Sequence, residues 1–419
     1  MREKSVLSGY RILCAGLLAM TLSLTAATGL SETPLRTLQA APGDDQDQLR
    51  GEASASQAPM PRSQLSTLLS SPIDAGFAKA DQPRTFRFPE DHGPHPQFRN
   101  EWWYLTGNLD SDAGDRFGFE LTIFRFALTP ATPQSLSAWR SNQLYIAHFA
   151  ITDAVRQQFY VAERYSRGAL GLAGAQSAPF RVWIDDWQIA ARQDAARQTD
   201  TSSDSRELWQ LRARDEHFSL DLSLSAEKAP VLNGVDGLSQ KSAAAGNASY
   251  YYSITRWQTG GQLRIGARHY NVSGLSWLDR EWSSSALGDE QQGWDWFALQ
   301  LTDGSELMLY NLRRTDGSRD SHSAGTWIGA DGRSQHLTAE QFSIDVNRHW
   351  TSPAGGTYPA GWHIRVPRQQ LSLRIAPVID GQELFTTVRY WEGAVDVTGS
   401  RGGIGVAGRG YVELTGYAE

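Results

Sequence analysis

Acids and indoles are concentrated between Trp277 and Arg314. The stretch opens Trp277-Leu278-Asp279-Arg280-Glu281-Trp282, continues through Gly293-Trp294-Asp295-Trp296-Phe297, and closes Glu306-Leu307-Met308-Leu309-Tyr310-Asn311-Leu312-Arg313-Arg314. Strand alternation puts Asp279 and Glu281 on the face of Trp277, and Asp295 in phase with Phe297, Leu299 and Leu301. A carboxyl on an apolar face must be paired, protonated or engaged in chemistry. The chemistry open to such carboxyls is acid–base proton transfer. Asp295 and Tyr310 lead as acid/base candidates, with Asp279 and Glu281 as further carboxyls. Trp282, Trp294, Trp296 and Trp391 are candidates to line a cleft between domains, and Trp103 and His148 are added as ligand-facing candidates.

Each candidate has a structural alternative. Asp279, Arg280 and Glu281 could form an Arg–carboxylate network that locks the first domain against the second. Asp295 could accept from an indole or pair with Arg313, and Glu101 beside Trp102-Trp103 reads as structural. His148, between Ile146 and Phe149, also fits a satisfied core histidine.

Other chemistries lack their residues. The sequence has no Gly-x-Ser-x-Gly elbow, and Ser283-Ser284-Ser285 has no partner His in any pattern. Gly399-Ser400-Arg401-Gly402-Gly403-Ile404-Gly405 lacks the Lys-Ser/Thr ending of a phosphate loop and reads as a hairpin before the last strand. His92-Gly93-Pro94-His95 reads as a solvated turn, since Gly and Pro exclude the helical His pair of a zinc hydrolase. The one cysteine, Cys14, lies in the N-terminal apolar run, so neither disulfides nor thiolate metal sites are expected beyond it. No metal or cofactor is expected. A formal charge of −7 with no basic stripe argues against nucleic acid.

The elements that must position these residues are short and alternating. Arg2, Lys4 and Arg11, the apolar run Ile12 to Leu24 and small residues at Thr25-Ala26-Ala27 read as a cleaved export signal over 1–27, giving a periplasmic or secreted address. Residues 28–83 read as a disordered leader with a short helical piece around Gln64 to Leu69. From Arg84 the chain is predominantly β. Strands are expected over Glu101–Leu109, Phe117–Phe126, Gln143–Thr152, Phe180–Gln188, Leu208–Ala213, Phe218–Ser225, Tyr250–Gln258 and Gln262–Val272. Turns fall at Asp110–Asp115 and Thr302–Ser305, and Ala190–Ser205 reads as a surface insertion. A repeat recurs: Trp103-Tyr104, turn, Glu120-Leu121 matches Trp296-Phe297, turn, Glu306-Leu307. Two β domains, 84–287 and 288–419, account for it.

These segments carry a resemblance. Asn100-Glu101-Trp102-Trp103-Tyr104, Ala147-His148-Phe149-Ala150-Ile151-Thr152-Asp153, Tyr252-Ser253-Ile254-Thr255-Arg256, Tyr390-Trp391-Glu392-Gly393 and Gly410-Tyr411-Val412-Glu413, with the two Trp segments above, resemble the AttH-like/carotenoid 1,2-hydratase family in its exported branch. The resemblance implies an all-β chain of two lipocalin-like barrels. It also implies a hydrophobic or amphipathic small molecule, a lipid or isoprenoid, handled by hydratase-, cyclase- or hydrolase-like chemistry. Hydration of an alkene would need a strong acid, aromatic faces for the cation and a dry pocket. The chain departs from the hydratase pattern twice, with Arg280-Glu281-Trp282 in place of a His-x-Trp and Tyr310-Asn311-Leu312 in place of a Tyr-x-Asp. The alternatives from other classes are a non-catalytic lipid carrier and an accessory component of an envelope transport system.

Overall fold

The computed structural model describes residues 76–131, 134, 137–192, 206–284, 287–288 and 290–418. The expected export signal, the expected helical piece of the leader and most of the 190–205 segment lie outside them. The chain is all-β, in two antiparallel sheets.

The first sheet contains β1 (Asn100–Ser111), β2 (Arg116–Ala127), β3 (Gln143–Asp153), β4 (Gln158–Arg167), β5 (Ala173–Ser177), β6 (Phe180–Ile184) and β7 (Trp187–Ala191). It continues with β8 (Leu208–Arg214), β9 (Phe218–Ala226), β10 (Val231–Leu232), β11 (Leu238–Gln240), β12 (Ala248–Ile265) and β13 (Arg268–Ser283). Its order is β4-β3-β2-β1-β13-β12-β9-β8-β7-β6-β5, with β10 and β11 pairing to β12, and it curls into a near-barrel.

The second sheet, a half-barrel, contains β14 (Gln291–Leu301), β15 (Glu306–Arg314), β16 (Ala324–Ile328), β17 (Ser334–Thr338) and β18 (Ser343–Thr351). It ends with β19 (Thr357–Val366), β20 (Leu371–Pro377), β21 (Glu383–Phe385), β22 (Arg389–Arg401) and β23 (Ile404–Leu414), in the order β17-β16-β15-β14-β23-β22-β20-β19-β18, with β21 pairing to β22.

Alternation builds these strands where one face is wet. Along β9, Phe218, Leu220, Leu222 and Leu224 are buried while Asp221 and Ser223 are exposed. The second half of β13 breaks that rule, because every residue from Ser276 to Ser283 is buried. One of its faces looks into the near-barrel, where Leu278 and Trp282 join Trp103, Leu105 and Leu121. The other meets the second sheet, where Trp277 packs with Tyr104, Tyr251, Trp296, Met308 and Tyr310. The half-barrel has its own core of Phe297, Leu299, Leu307, Trp362 and Trp391.

Polar ties cross the seam between the sheets. The Glu306 carboxylate accepts from Arg256 Nε at 2.6 Å and Lys228 Nζ at 2.7 Å. Gln300 Nε2 donates to the carbonyls of Thr255 (2.8 Å) and Ser276 (3.0 Å).

Several expectations are corrected. Gln262–Val272 is not one strand: β12 runs on through Gly260-Gly261, and the chain reverses at Gly266, whose φ of +59° suits a turn. Phe180–Gln188 likewise divides at Asp185-Asp186 into β6 and β7. The repeat holds face for face on the return strands, since Leu121 and Leu307 both enter a core and Glu120 and Glu306 both point away from one. It slips on the first strands: Trp103 is inside the near-barrel, and its counterpart by face is Phe297, not Trp296.

The His92–His95 turn is buried rather than solvated. His92 bonds Tyr252 Oη (2.6 Å) and Glu207 (2.8 Å), while His95 reaches Asp91 at 3.0 Å and stacks on Trp282 at 3.8 Å. Beside it, Arg280 and Arg125 both bind the fully buried Glu101 carboxylate. Arg280 also lies 4.0 Å over the Trp103 ring. Burial opposes the charge on Glu101, but the two guanidiniums outweigh it and hold the carboxyl far below its ordinary range. Glu101→Gln leaves both guanidiniums without a countercharge and should cost about 3–5 kcal/mol in urea unfolding. A loss under about 1 kcal/mol would mean that the network contributes little.

Candidate active site

Two cross-strand rows face each other over the seam. On the first sheet, register aligns His148, Thr122, Tyr104, Asp279 and Ser253 across β3, β2, β1, β13 and β12. On the second, it aligns Tyr310, Trp296, Glu413 and Glu392 across β15, β14, β23 and β22. A cavity of about 80 Å³ opens between them, with Asp279, Glu281, Lys241, Tyr251, Trp296 and Glu413 among its walls. Trp102, Phe124 and Trp294, also in its lining, are half-buried, as is Glu413.

Asp279 is held by three donors: Trp277 Nε1 at 2.7 Å, Ser253 Oγ at 2.5 Å, and the Tyr251 hydroxyl. Tyr251 in turn accepts from Trp296 Nε1 at 3.1 Å, which ties the carboxylate to the opposite sheet. Burial pushes the Asp279 carboxyl up to about 7, and the Glu281 charge adds to this against the pull of the three donors. Glu281 accepts from Ser249 and pairs with Lys241 Nζ at 3.1 Å. Burial disfavours the Lys241 ammonium, yet Glu281, Tyr310 and Asp279 together outweigh it and hold the group above its ordinary range. Lys241 Nζ sits 4.3 Å from the Tyr310 ring centre and 5.3 Å from that of Tyr251.

On the second sheet, burial pushes Glu413 up to about 7 against the neighbouring Trp294 indole, with Asp279 and Glu281 adding repulsion. Behind it, Glu392 accepts from the Tyr104 hydroxyl, and its Oε2 has no partner among the described residues. Burial, then the charges of Glu413 and Glu120, drives Glu392 well above its ordinary range. Glu120, whose oxygens find no hydrogen bond of good geometry among the described residues, is pushed up to about 8 by burial and by Glu413 against the pull of the neighbouring Thr122 hydroxyl. Asp279 and Glu413 have no basic partner among the described residues. Two near-neutral carboxyls, one from each sheet, thus share an aromatic cavity in which either can hold or release a proton near pH 7. Among the described residues no group of three or more His, Cys, Asp or Glu is placed to hold a metal ion.

The structure brings together Asp279, Glu281, Tyr310, Trp294 and Trp296 of the residues expected from sequence. It places Asp295 elsewhere. That carboxylate faces away from the cavity and pairs with Arg313 Nε at 3.0 Å, Tyr417 Oη at 2.8 Å and Asn311 Nδ2 at 3.1 Å, which realises its Arg313 alternative. Trp103 and Trp282 fill the near-barrel and Trp391 the half-barrel, because each alternates with core leucines or valines rather than with the seam. His148 stands behind the wall, bonded to Tyr390 Oη at 2.7 Å and Glu163 at 3.1 Å. Asp279, Arg280 and Glu281 do not form one network, since Arg280 points into the near-barrel and the two acids point out of it.

Lys241, Tyr251, Tyr104, Glu413 and Tyr390 escaped sequence reasoning. Glu413 had a usable signal, because it alternates with Tyr411 on the face opposite Val412 and Leu414. Lys241 follows β11 in irregular chain and had none.

Two curled antiparallel sheets with a cavity at their seam define a lipocalin-like protein. The AttH-like family model matches residues 79–417, and the chain belongs to that family. A crystal structure of a protein from Nitrosomonas europaea assigned as an AttH is 34% identical, covering 82% of this chain and 100% of its own, with a TM-score of 0.71. Kievitone hydratase from Nectria haematococca shares the fold at 14% identity and TM-score 0.60, over 84% of this chain and 98% of its own. Among curated proteins none matches the chain.

The pH dependence of stability tests the site. A carboxyl whose folded pKa stands above its unfolded one stabilises the fold most below the unfolded value and loses that contribution as pH rises to the folded one. For Asp279 the window runs from 3.8 to about 7. Asp279→Asn should therefore gain on wild type between pH 4 and pH 8, on the order of 2–4 kcal/mol in urea unfolding. A difference between the two proteins that does not vary with pH would remove Asp279 as the titrating group.

Proposed function

We propose that this protein is an acid–base enzyme acting on a hydrophobic or amphipathic small molecule, of the lipid or isoprenoid class, bound between the sheets. The observation that carries the reading is the pairing of Asp279 and Glu413 across one aromatic cavity, both near neutrality and neither ion-paired among the described residues. Glu413, half-buried in the wall, is the general acid: its proton passes to a carbon or oxygen of the substrate. Positive charge developing on the substrate meets the rings of Trp296, Tyr251 and Tyr310 and the Asp279 carboxylate. Asp279, fixed by Trp277, Ser253 and Tyr251, takes the proton released when water adds or a neighbouring C–H breaks. The net reaction is hydration, cyclisation or isomerisation, with the acid and base restored by one proton exchange with solvent.

Kievitone hydratase shares this fold, and hydration is among these reactions. The basic and then apolar start of the chain supports work outside the cytoplasm, where envelope lipids are the available pool.

Purified protein incubated with envelope lipids should yield an apolar compound of changed mass by mass spectrometry. Glu413→Gln should lower that conversion by about 10²–10⁴ while retaining the bound compound. A compound bound in stoichiometric amount and recovered unchanged would make the protein a carrier.

A further inference from the structure

We infer that the cavity selects amphiphiles whose head is an alkylated ammonium, with the cation seated between Asp279 and Glu413 and the alkyl chain running to the half-buried side of the seam. The inference rests on the cavity reading above and adds the charge of its ligand.

Three observations carry it. The first is that two carboxyls of the wall lie in no ion pair. Of the three carboxyls in the wall, only Glu281 has a basic partner among the described residues, Lys241 at 3.1 Å. Asp279 and Glu413 have none, and Glu392 behind them has only a phenol. A ligand cation supplies the missing countercharge, and because the site is buried its attraction is weakly screened.

The second is that the wall already solvates an ammonium. Lys241 Nζ lies 4.3 Å from the Tyr310 ring centre and 5.3 Å from that of Tyr251, so this wall presents ring faces at cation–π distance. Trp296 and Tyr104, edge-to-face at 5.0 Å, extend the aromatic lining towards Glu413 and Glu392. An alkylated ammonium needs no hydrogen-bond acceptors, which suits a wall of rings.

The third is the apolar flank. Trp102, Phe124 and Trp294, half-buried in the cavity lining, pack against a separate cluster that includes Phe126, Ile146 and Val388. These three rings offer an alkyl chain an apolar, partly exposed flank at the cavity.

Cation binding also moves protons. Burial holds the phenols of Tyr104, Tyr251 and Tyr390 well above their ordinary range, so they stay protonated, and Lys241 stays charged. The wall groups left to respond are Asp279 and Glu413, and a cation beside them favours their ionised forms.

Calorimetric titration of the full chain with octyltrimethylammonium, octan-1-ol and octanoate decides the matter. The expected order is octyltrimethylammonium at least about tenfold tighter than octan-1-ol, with octanoate weakest. Repeating the cation titration at pH 6.5 in phosphate and in Bis-Tris should give different apparent heats, the signature of net proton release. Glu413→Gln should reduce the affinity for the cation about tenfold and leave that for octan-1-ol unchanged. Equal affinities for the cation and the alcohol, or tightest binding of octanoate, would overturn the inference while leaving an apolar acid–base site in place. Failure of all three to bind would overturn the inference together with the cavity reading on which it rests.

Discussion

The two-residue period of β13 is the constraint on which the site depends. Within six residues the strand sends Leu278, Arg280 and Trp282 into the near-barrel and Trp277, Asp279 and Glu281 towards the seam. Both faces are covered, so neither set can escape to water. The inward set is neutralised by Glu101 and becomes part of the scaffold. The outward acids meet a second sheet that offers aromatics and further acids, so Asp279 is left to hydrogen bonds alone. Arg280 is therefore paired within the scaffold on one side of the strand, while on the other Glu281 pairs with Lys241 and Asp279 is in no ion pair among the described residues.

The second sheet completes the site with the same logic. Glu413 and Glu392 are opposite one another on β23 and β22, so two carboxyls lie side by side where like charges repel. Burial removes the solvent that would screen them, and the stable response is to retain protons. Tyr104 and Tyr251 reach from the first sheet to Glu392 and towards Trp296, so the groups that tie the sheets together also shape the cavity. A shift of one sheet against the other would disturb fold and site together.

Much of the architecture was legible because alternation, turn composition and the Trp-rich segments carry it directly. The β1–β2 and β14–β15 hairpins fall where Asp110–Asp115 and Thr302–Ser305 placed them. Alternation also assigned Asp279 and Glu281 to the face of Trp277, as observed. It misled at Asp295, where an acid in phase with Phe297 and Leu299 was read as facing a ligand. That face is the half-barrel interior, and Arg313 and Tyr417 satisfy the charge there. Period-2 reasoning separates two faces but does not say which one meets a partner sheet. The same ambiguity assigns Trp282 and Trp391 to a cleft and makes Trp103 a ligand-facing candidate. Lys241 and Tyr251 come to the site through long-range packing that no local pattern encodes.

The central claim is that two carboxyls facing one aromatic cavity are held near neutrality. It is tested most directly by ¹³C NMR titration of protein labelled at the Asp and Glu carboxyl carbons, with the signals assigned through Asp279→Asn and Glu413→Gln. The account predicts midpoints for Asp279 and Glu413 at about 7, distinct from the bulk of the acidic residues. Midpoints for both in the ordinary range near about 4 would contradict it, because carboxylates already ionised at neutral pH would have no proton to donate.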